Sequence, residues 1–158
     1  MTENSERRVV SVIVINEASV LSRITNLFSG RGYNITSLTV APIPDTRYSR
    51  LTIVTAGSVR VIEQITKQLH KLIPVLKVYE HADIVEKEMA LVKFPITENI
   101  TDIGTLCQAY NGKIVNVGDN VVIAMVADEP HRIDNFLSII KRYNPKEIVR
   151  GGAVALER

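Results

Sequence analysis

Tryptophan is absent from this sequence, cysteine occurs once and histidine three times. Each scarcity removes a class of function. A lone cysteine, Cys107, cannot close an internal disulfide, so a reducing compartment, the cytoplasm, is expected. Cys107 falls on the apolar face of a helical pattern and reads as a small core residue. His70, His81 and His131 are widely separated and have no Cys or His partner at zinc-ligand spacing. They read as surface residues. Aromatic residues make up only 5% of the chain. A sheet that binds RNA stacks bases on aromatic side chains of its central strands. The apolar runs Val9–Ile15 and Ser49–Thr55 carry no aromatic ring, so no nucleic-acid partner is expected. The net charge of +2 is too small to argue otherwise. No apolar run approaches the ~20 residues of a membrane span, so no membrane partner is expected. The leading segment Met1–Glu6 is polar and reads as no secretory leader.

What remains is a chain whose 46% hydrophobic content suffices for real cores. Its length of 158 residues suits one ordinary domain or two very small ones. Val9 to Ile15 is β-branched and nearly continuous, which predicts a buried strand. Val20, Leu21, Ile24, Leu27 and Phe28 recur at the spacing of one helix face. Ser19 fits the N-cap of that helix and Gly32 the left-handed residue beyond its end. A second strand is predicted at Ile35–Ala41, a turn at Pro42, Pro44 and Asp45, and a third strand at Ser49–Thr55. Ile62, Ile65, Leu69 and Leu72 mark a second helix, which Pro74 stops, and Val75–Tyr79 a fourth strand. The order is βαββαβ, the ferredoxin-like unit.

The polar stretch His81–Lys87 reads as a linker, after which the order recurs. Strands are predicted at Met89–Phe94, Lys113–Val117, Val121–Ala127 and Glu147–Leu156. The helices lie at Ile100–Tyr110 and after Asp128, which is expected to cap a helix with Pro130 in its first turn. The fold class is therefore α+β, with two tandem ferredoxin-like (βαββαβ) domains at about residues 8–82 and 84–158. Units of that size have marginal cores, so packing between the two halves or between chains is expected.

No active site assembles from the residues. The serines lack an elbow motif, and Gly30-Arg31-Gly32 follows a helix where a phosphate loop would open one. The polar break Asn16-Glu17-Ala18-Ser19 is different. It joins a strand end to a helix start, where free N–H groups and the positive helix end suit a carboxylate. Asn34 opens the next strand with both a donor and an acceptor. Together they could take both polar ends of an amino acid. The plain alternative is that both asparagines are turn residues.

The stretches "NEASVLSRITNLFSGRGYNITSLTVAPI", "SRLTIVTAG" and "IEQITKQLHKLIPVLKVYE", with weaker echoes in "EKEMALVKF" and "RGGAVAL", resemble the regulatory (small) subunit of acetolactate synthase, or acetohydroxyacid synthase. The likeness runs over nearly the whole chain. It implies that the first domain is an ACT domain, a small amino-acid sensor. Such domains pair as homodimers, with ligand between the helix-start loop of one chain and strand residues of its partner. The implied ligand is a branched-chain amino acid, usually valine. The implied site is Asn16, Ala18, Ser19, Val20, Asn34 and Ile35. No catalysis and no cofactor are implied for this chain. Thiamine diphosphate, magnesium and FAD belong to the separate catalytic (large) subunit, which the small subunit activates and subjects to feedback control.

One departure matters. The family usually has glycine where Ser19 stands, and serine there either crowds the ligand, caps the helix or binds the ligand itself. Two rival readings differ in kind. An acylphosphatase-like enzyme of the same fold needs a phosphate-cradling loop with an arginine, and here Arg23 lies a helical turn too far along. A free-standing amino-acid sensor needs no catalytic partner.

Overall fold

The computed structural model describes residues 5–158, so the polar leading segment lies largely outside the described residues. The chain divides into two compact units. One runs up to Val85 and takes in Ala155–Arg158, and the other is Glu86–Val154.

In the first unit, strand β1 (Glu6–Ile15) is followed by helix α1 (Val20–Gly30), strands β2 (Ile35–Pro42) and β3 (Tyr48–Gly57), helix α2 (Val59–His70) and strand β4 (Val75–Glu80). The sheet order is β2-β3-β1-β4 with antiparallel pairing. This is the expected βαββαβ arrangement. Val10, Val12 and Val14 of β1 meet Leu51 and Ile53 of β3 on one face. Val20, Ile24 and Phe28 of α1 and Ile62, Ile65 and Leu69 of α2 close over them. The spacing of four residues along α1 is what puts all three on that face.

Gly32 ends α1 as expected. Its φ of +69° is in the left-handed region. The Gly32 N–H donates to the Ser29 carbonyl and the Tyr33 N–H to the Phe28 carbonyl. That pair of bonds satisfies carbonyls the helix leaves open. The Tyr33 ring meets Phe28 edge-on at 6.3 Å, which adds the apolar contact such helix ends favour. The turn before β3 places Asp45 at φ +59°. Thr46 braces it, donating to the Ile43 carbonyl and accepting from the Tyr48 N–H.

The second unit repeats the order. It contains β5 (Ile84–Pro95) from Glu86 on, α3 (Ile100–Ala109), β6 (Gly112–Val117), β7 (Val121–Asp128), α4 (Pro130–Ile139) and β8 (Glu147–Arg150), with sheet order β6-β7-β5-β8. Its core joins Val92 and Phe94 to Ala124, Val126, Ile103, Ile133, Phe136 and Ile140. Cys107 lies in that core, and burial pushes its thiol up to about 11. Gly112 admits no side chain. A Cβ there would stand 2.3 Å from the Met125 carbonyl oxygen on β7.

Three expectations need correction. Most of the proposed linker is strand, because β5 begins at Ile84. Its charges are not all free in solvent: Lys87 reaches Asp128, and just past the segment Glu88 is buried and accepts from Arg150 at 2.7 Å. The last strand is interrupted at Gly151-Gly152, and the chain resumes as β9 (Val154–Glu157). Asp128 is the last residue of β7, and Glu129 takes the N-cap position of α4. The Asp128 carboxylate instead binds Arg132, Asn111, Lys87 and the Glu129 N–H.

Candidate functional site

The break after β1 is an exposed loop held from beneath by backbone. The Asn16 N–H donates to the Arg47 carbonyl at 2.9 Å, and the Ile15 N–H donates to the Pro74 carbonyl at the same distance. Glu17 and Val20 are tied within the loop, Glu17 N–H to Ile15 and Val20 N–H to Glu17. Among the described residues, the N–H groups of Ala18, Ser19, Leu21 and Ser22 take no backbone carbonyl. They form a set of open donors at the positive end of α1, which suits an anionic group. Asn16, Glu17, Ala18 and Ser19 are all exposed. Val20 is not: its side chain is buried in the core, so its contribution to the loop is backbone alone.

Ser19 occupies the N-cap position, but its hydroxyl makes no capping bond. Its carbonyl accepts from the Arg23 N–H at 3.1 Å. Its φ of −93° is ordinary for any L-residue, so the backbone here makes no demand for glycine. The hydroxyl is left free beside the open donors.

Asn34 and Ile35 stand at the opposite end of the unit. They follow α1, whose 11 residues span ~16 Å. Ile35 pairs with Thr55 at one end of β3, whereas Ile15 pairs with Tyr48 at the other. Those two positions on β3 are about 23 Å apart along the strand. One protomer therefore does not bring Asn34 to its own Asn16–Ser19 loop. The Asn34 carbonyl accepts from the Thr55 hydroxyl at 2.6 Å, while its side chain is exposed and unbonded among the described residues. The register slips between Ile35 and Ser37, so the start of β2 is irregular beside it.

The matching loop of the second unit has two polar side chains engaged. Asn99 caps α3 by accepting from the Asp102 N–H at 3.1 Å. Glu98 accepts from the Asn144 side chain at 2.9 Å, and the Ile96 N–H donates to the Asn120 carbonyl. Two loops at the same place in the same topology thus differ in their caps: Asn99 takes one N–H of its helix start, whereas Ser19 takes none. Sequence reasoning missed Arg47, because what fixes the loop is its carbonyl, which no residue type signals. Among the described residues no group of His, Cys, Asp and Glu side chains could hold a metal ion. No described helix is long and apolar enough to cross a membrane.

A family model described as the small subunit of acetolactate synthase matches residues 87–158, and an AHAS small subunit-like ACT domain matches residues 10–77. The chain belongs to the acetolactate synthase small-subunit family. The isozyme 3 small subunit of Escherichia coli (strain K12) is 42% identical, over 96% of this chain and 96% of that relative. The small subunit of Buchnera aphidicola subsp. Baizongia pistaciae is 39% identical, over 96% of this chain and 98% of its own. The crystal structure of the Thermotoga maritima small subunit shares the fold with a TM-score of 0.90 at 34% identity, covering 97% of this chain and 98% of that one. As a small subunit of the family, this chain carries the open loop on its ACT domain.

Proposed function

We propose that this chain is the non-catalytic regulatory subunit of a cytoplasmic acetolactate synthase. In this reading it activates a separate catalytic subunit, which carries thiamine diphosphate, magnesium and FAD, and makes that subunit sensitive to valine. The observation that supports the reading is the contrast between the two loops. Asn16–Ser19 leaves the helix start uncapped and its side chains exposed and unbonded among the described residues, while in the equivalent loop of the second unit Asn99 caps the helix and Glu98 is held by Asn144. The open donors suit the carboxylate of an amino acid. An asparagine with both donor and acceptor suits the ammonium and the remaining carboxylate oxygen.

A complete cradle in this reading needs two chains. Strand β2 is an edge of its sheet. A two-fold axis that pairs β2 with its copy in antiparallel fashion sets the Ile35 end of one strand beside the Pro42 end of the other. Pro42 pairs with Ser49, next to Tyr48, at the end of the sheet that carries the Asn16–Ser19 loop. Asn34 and Ile35 of one protomer thereby approach Asn16, Ala18, Ser19 and the Val20 backbone of its partner. The pairing also covers an open strand edge.

The test is valine titration into the full chain by calorimetry, with light scattering in parallel. A dimer at micromolar concentration that binds one or two valines is expected. A monomer that still binds valine would defeat the composite cradle. A dimer that binds none would defeat the sensor.

A further inference from the structure

The face of the first sheet turned away from its helices carries a polar cluster that the candidate site does not use. Arg50 lies on β3 opposite Ile13 of β1. One of its terminal nitrogens, Nη2, donates to the Ser11 hydroxyl at 3.2 Å and to the Ala155 carbonyl at 3.1 Å. Ser11 is fully buried, and its hydroxyl also lies 2.8 Å from His81 Nε2. Arginine can only donate, so the hydroxyl accepts from Arg50 and is free to give its own proton to His81. Burial and the Arg50 charge favour the neutral imidazole this needs, against an opposing pull from Glu157. The segment Ala155–Arg158 is tied once more by the Arg158 N–H to the Asp83 carbonyl, with an ion pair between the two side chains. That segment is where the chain returns from the second unit to the first.

Arg50 is also three residues along β3 from Arg47, whose carbonyl holds Asn16. The pairs Ile15–Tyr48, Val14–Ser49 and Ile13–Arg50 run without interruption between them. Fraying of that strand end would release the loop and displace the Arg50 anchor together. We infer that Arg50 is a positioning residue that couples the Asn16–Ser19 loop to Ala155–Arg158, so that fixing the loop tightens the hold on the returning chain. Its use in valine sensing rests on the function proposed above, but the mechanical coupling does not. Coupling between two sites is reciprocal, and segments that open together exchange their amide hydrogens together.

Hydrogen exchange on the full chain tests it without ligand. Arg50→Met keeps the aliphatic stem and removes the donors. Exchange should quicken about fivefold at both Ala155–Arg158 and Asn16–Ser19, the factor that one net hydrogen bond is worth, while Ile133–Ile140 stays unchanged. Arg158→Pro removes the Asp83 contacts at the exposed end and leaves Arg50 in place. It should quicken the loop as well as its own segment. If either variant loosens Ala155–Arg158 and leaves Asn16–Ser19 at the wild-type rate, the coupling is overturned. Saturating valine should slow exchange at Ala155–Arg158 in wild type and not in Arg50→Met. Failure of valine to bind wild type in calorimetry would strike the sensor reading, while the two variants still decide the coupling.

Discussion

Asp128→Ala is expected to destabilise the second unit by about 2–4 kcal/mol, read from its urea midpoint. Asp128 is 1% exposed. One carboxylate oxygen accepts from Arg132 Nε and from Asn111 Nδ2, the other from the Glu129 N–H and from Lys87. Arg132 in turn donates to the Ala109 carbonyl at 2.6 Å and lies over the Tyr110 ring at 5.0 Å. The carboxylate therefore fastens the end of α3, the left-handed Asn111 that follows it and the start of α4. Alanine leaves Asn111 and the Glu129 N–H without their partner. The Arg132 side chain is partly exposed and recovers water, which keeps the loss below that of a fully buried pair.

The effect has a definite pH dependence. Burial pushes the Asp128 carboxyl up, but bonds from Arg132, the Glu129 N–H and Lys87 outweigh it and hold it at about 2, against an ordinary 3.8. A carboxylate depressed in the folded state contributes its stabilisation fully above its unfolded value and loses it as pH falls through the folded one. The gap between wild type and Asp128→Asn should therefore be constant above about pH 4 and shrink toward pH 2. A gap that stays constant down to pH 2 would show that the charge is not what Asp128 contributes.

Asn34→Ala is expected to weaken valine binding tenfold to a hundredfold, from the loss of about 1–3 kcal/mol of paired polar contact. Stability should hardly change. The Asn34 side chain is exposed, and the bond from Thr55 is to its backbone carbonyl, which alanine retains. Ser19→Gly is the companion measurement. The Ser19 hydroxyl caps nothing and its φ is ordinary, so glycine neither removes a cap bond nor relieves strain. What glycine removes is bulk and a free hydroxyl beside the open donors. Tighter valine binding is expected, because closer backbone approach to the ligand becomes possible. Weaker binding would mean that the hydroxyl itself holds valine. Equal affinity in wild type and both variants would take the loop out of the mechanism and leave Asn16 and Asn34 as turn residues.

Both rounds of βαββαβ were legible because their signals are local. β-Branched runs mark the strands, four-residue spacing marks the helix faces, and Gly32 marks the end of α1. What escaped depends on residues far apart in the chain. The start of β5 looks like a linker until Asp128, 41 residues on, takes Lys87. His81 reads as a surface residue until its ring meets Ser11, 70 residues earlier. Ser19 takes the N-cap position it was assigned but makes no cap bond, because residue type shows capacity and not use, and the cap at Ser58 shows the same residue used. The loop and Asn34 were legible as polar breaks. That they flank α1 was legible too; what the register adds is their separation along β3, so that one chain does not bring them together.

The central claim is regulation of a catalytic partner, and acetolactate formation from pyruvate measures it most directly. The assay combines this chain with a purified catalytic subunit supplied with thiamine diphosphate, magnesium and FAD. The predicted result is no acetolactate from this chain alone, a rate above that of the catalytic subunit alone when the two are mixed, and a fall in that rate when valine is added. An unchanged rate on mixing, or turnover of pyruvate by this chain alone, would contradict it.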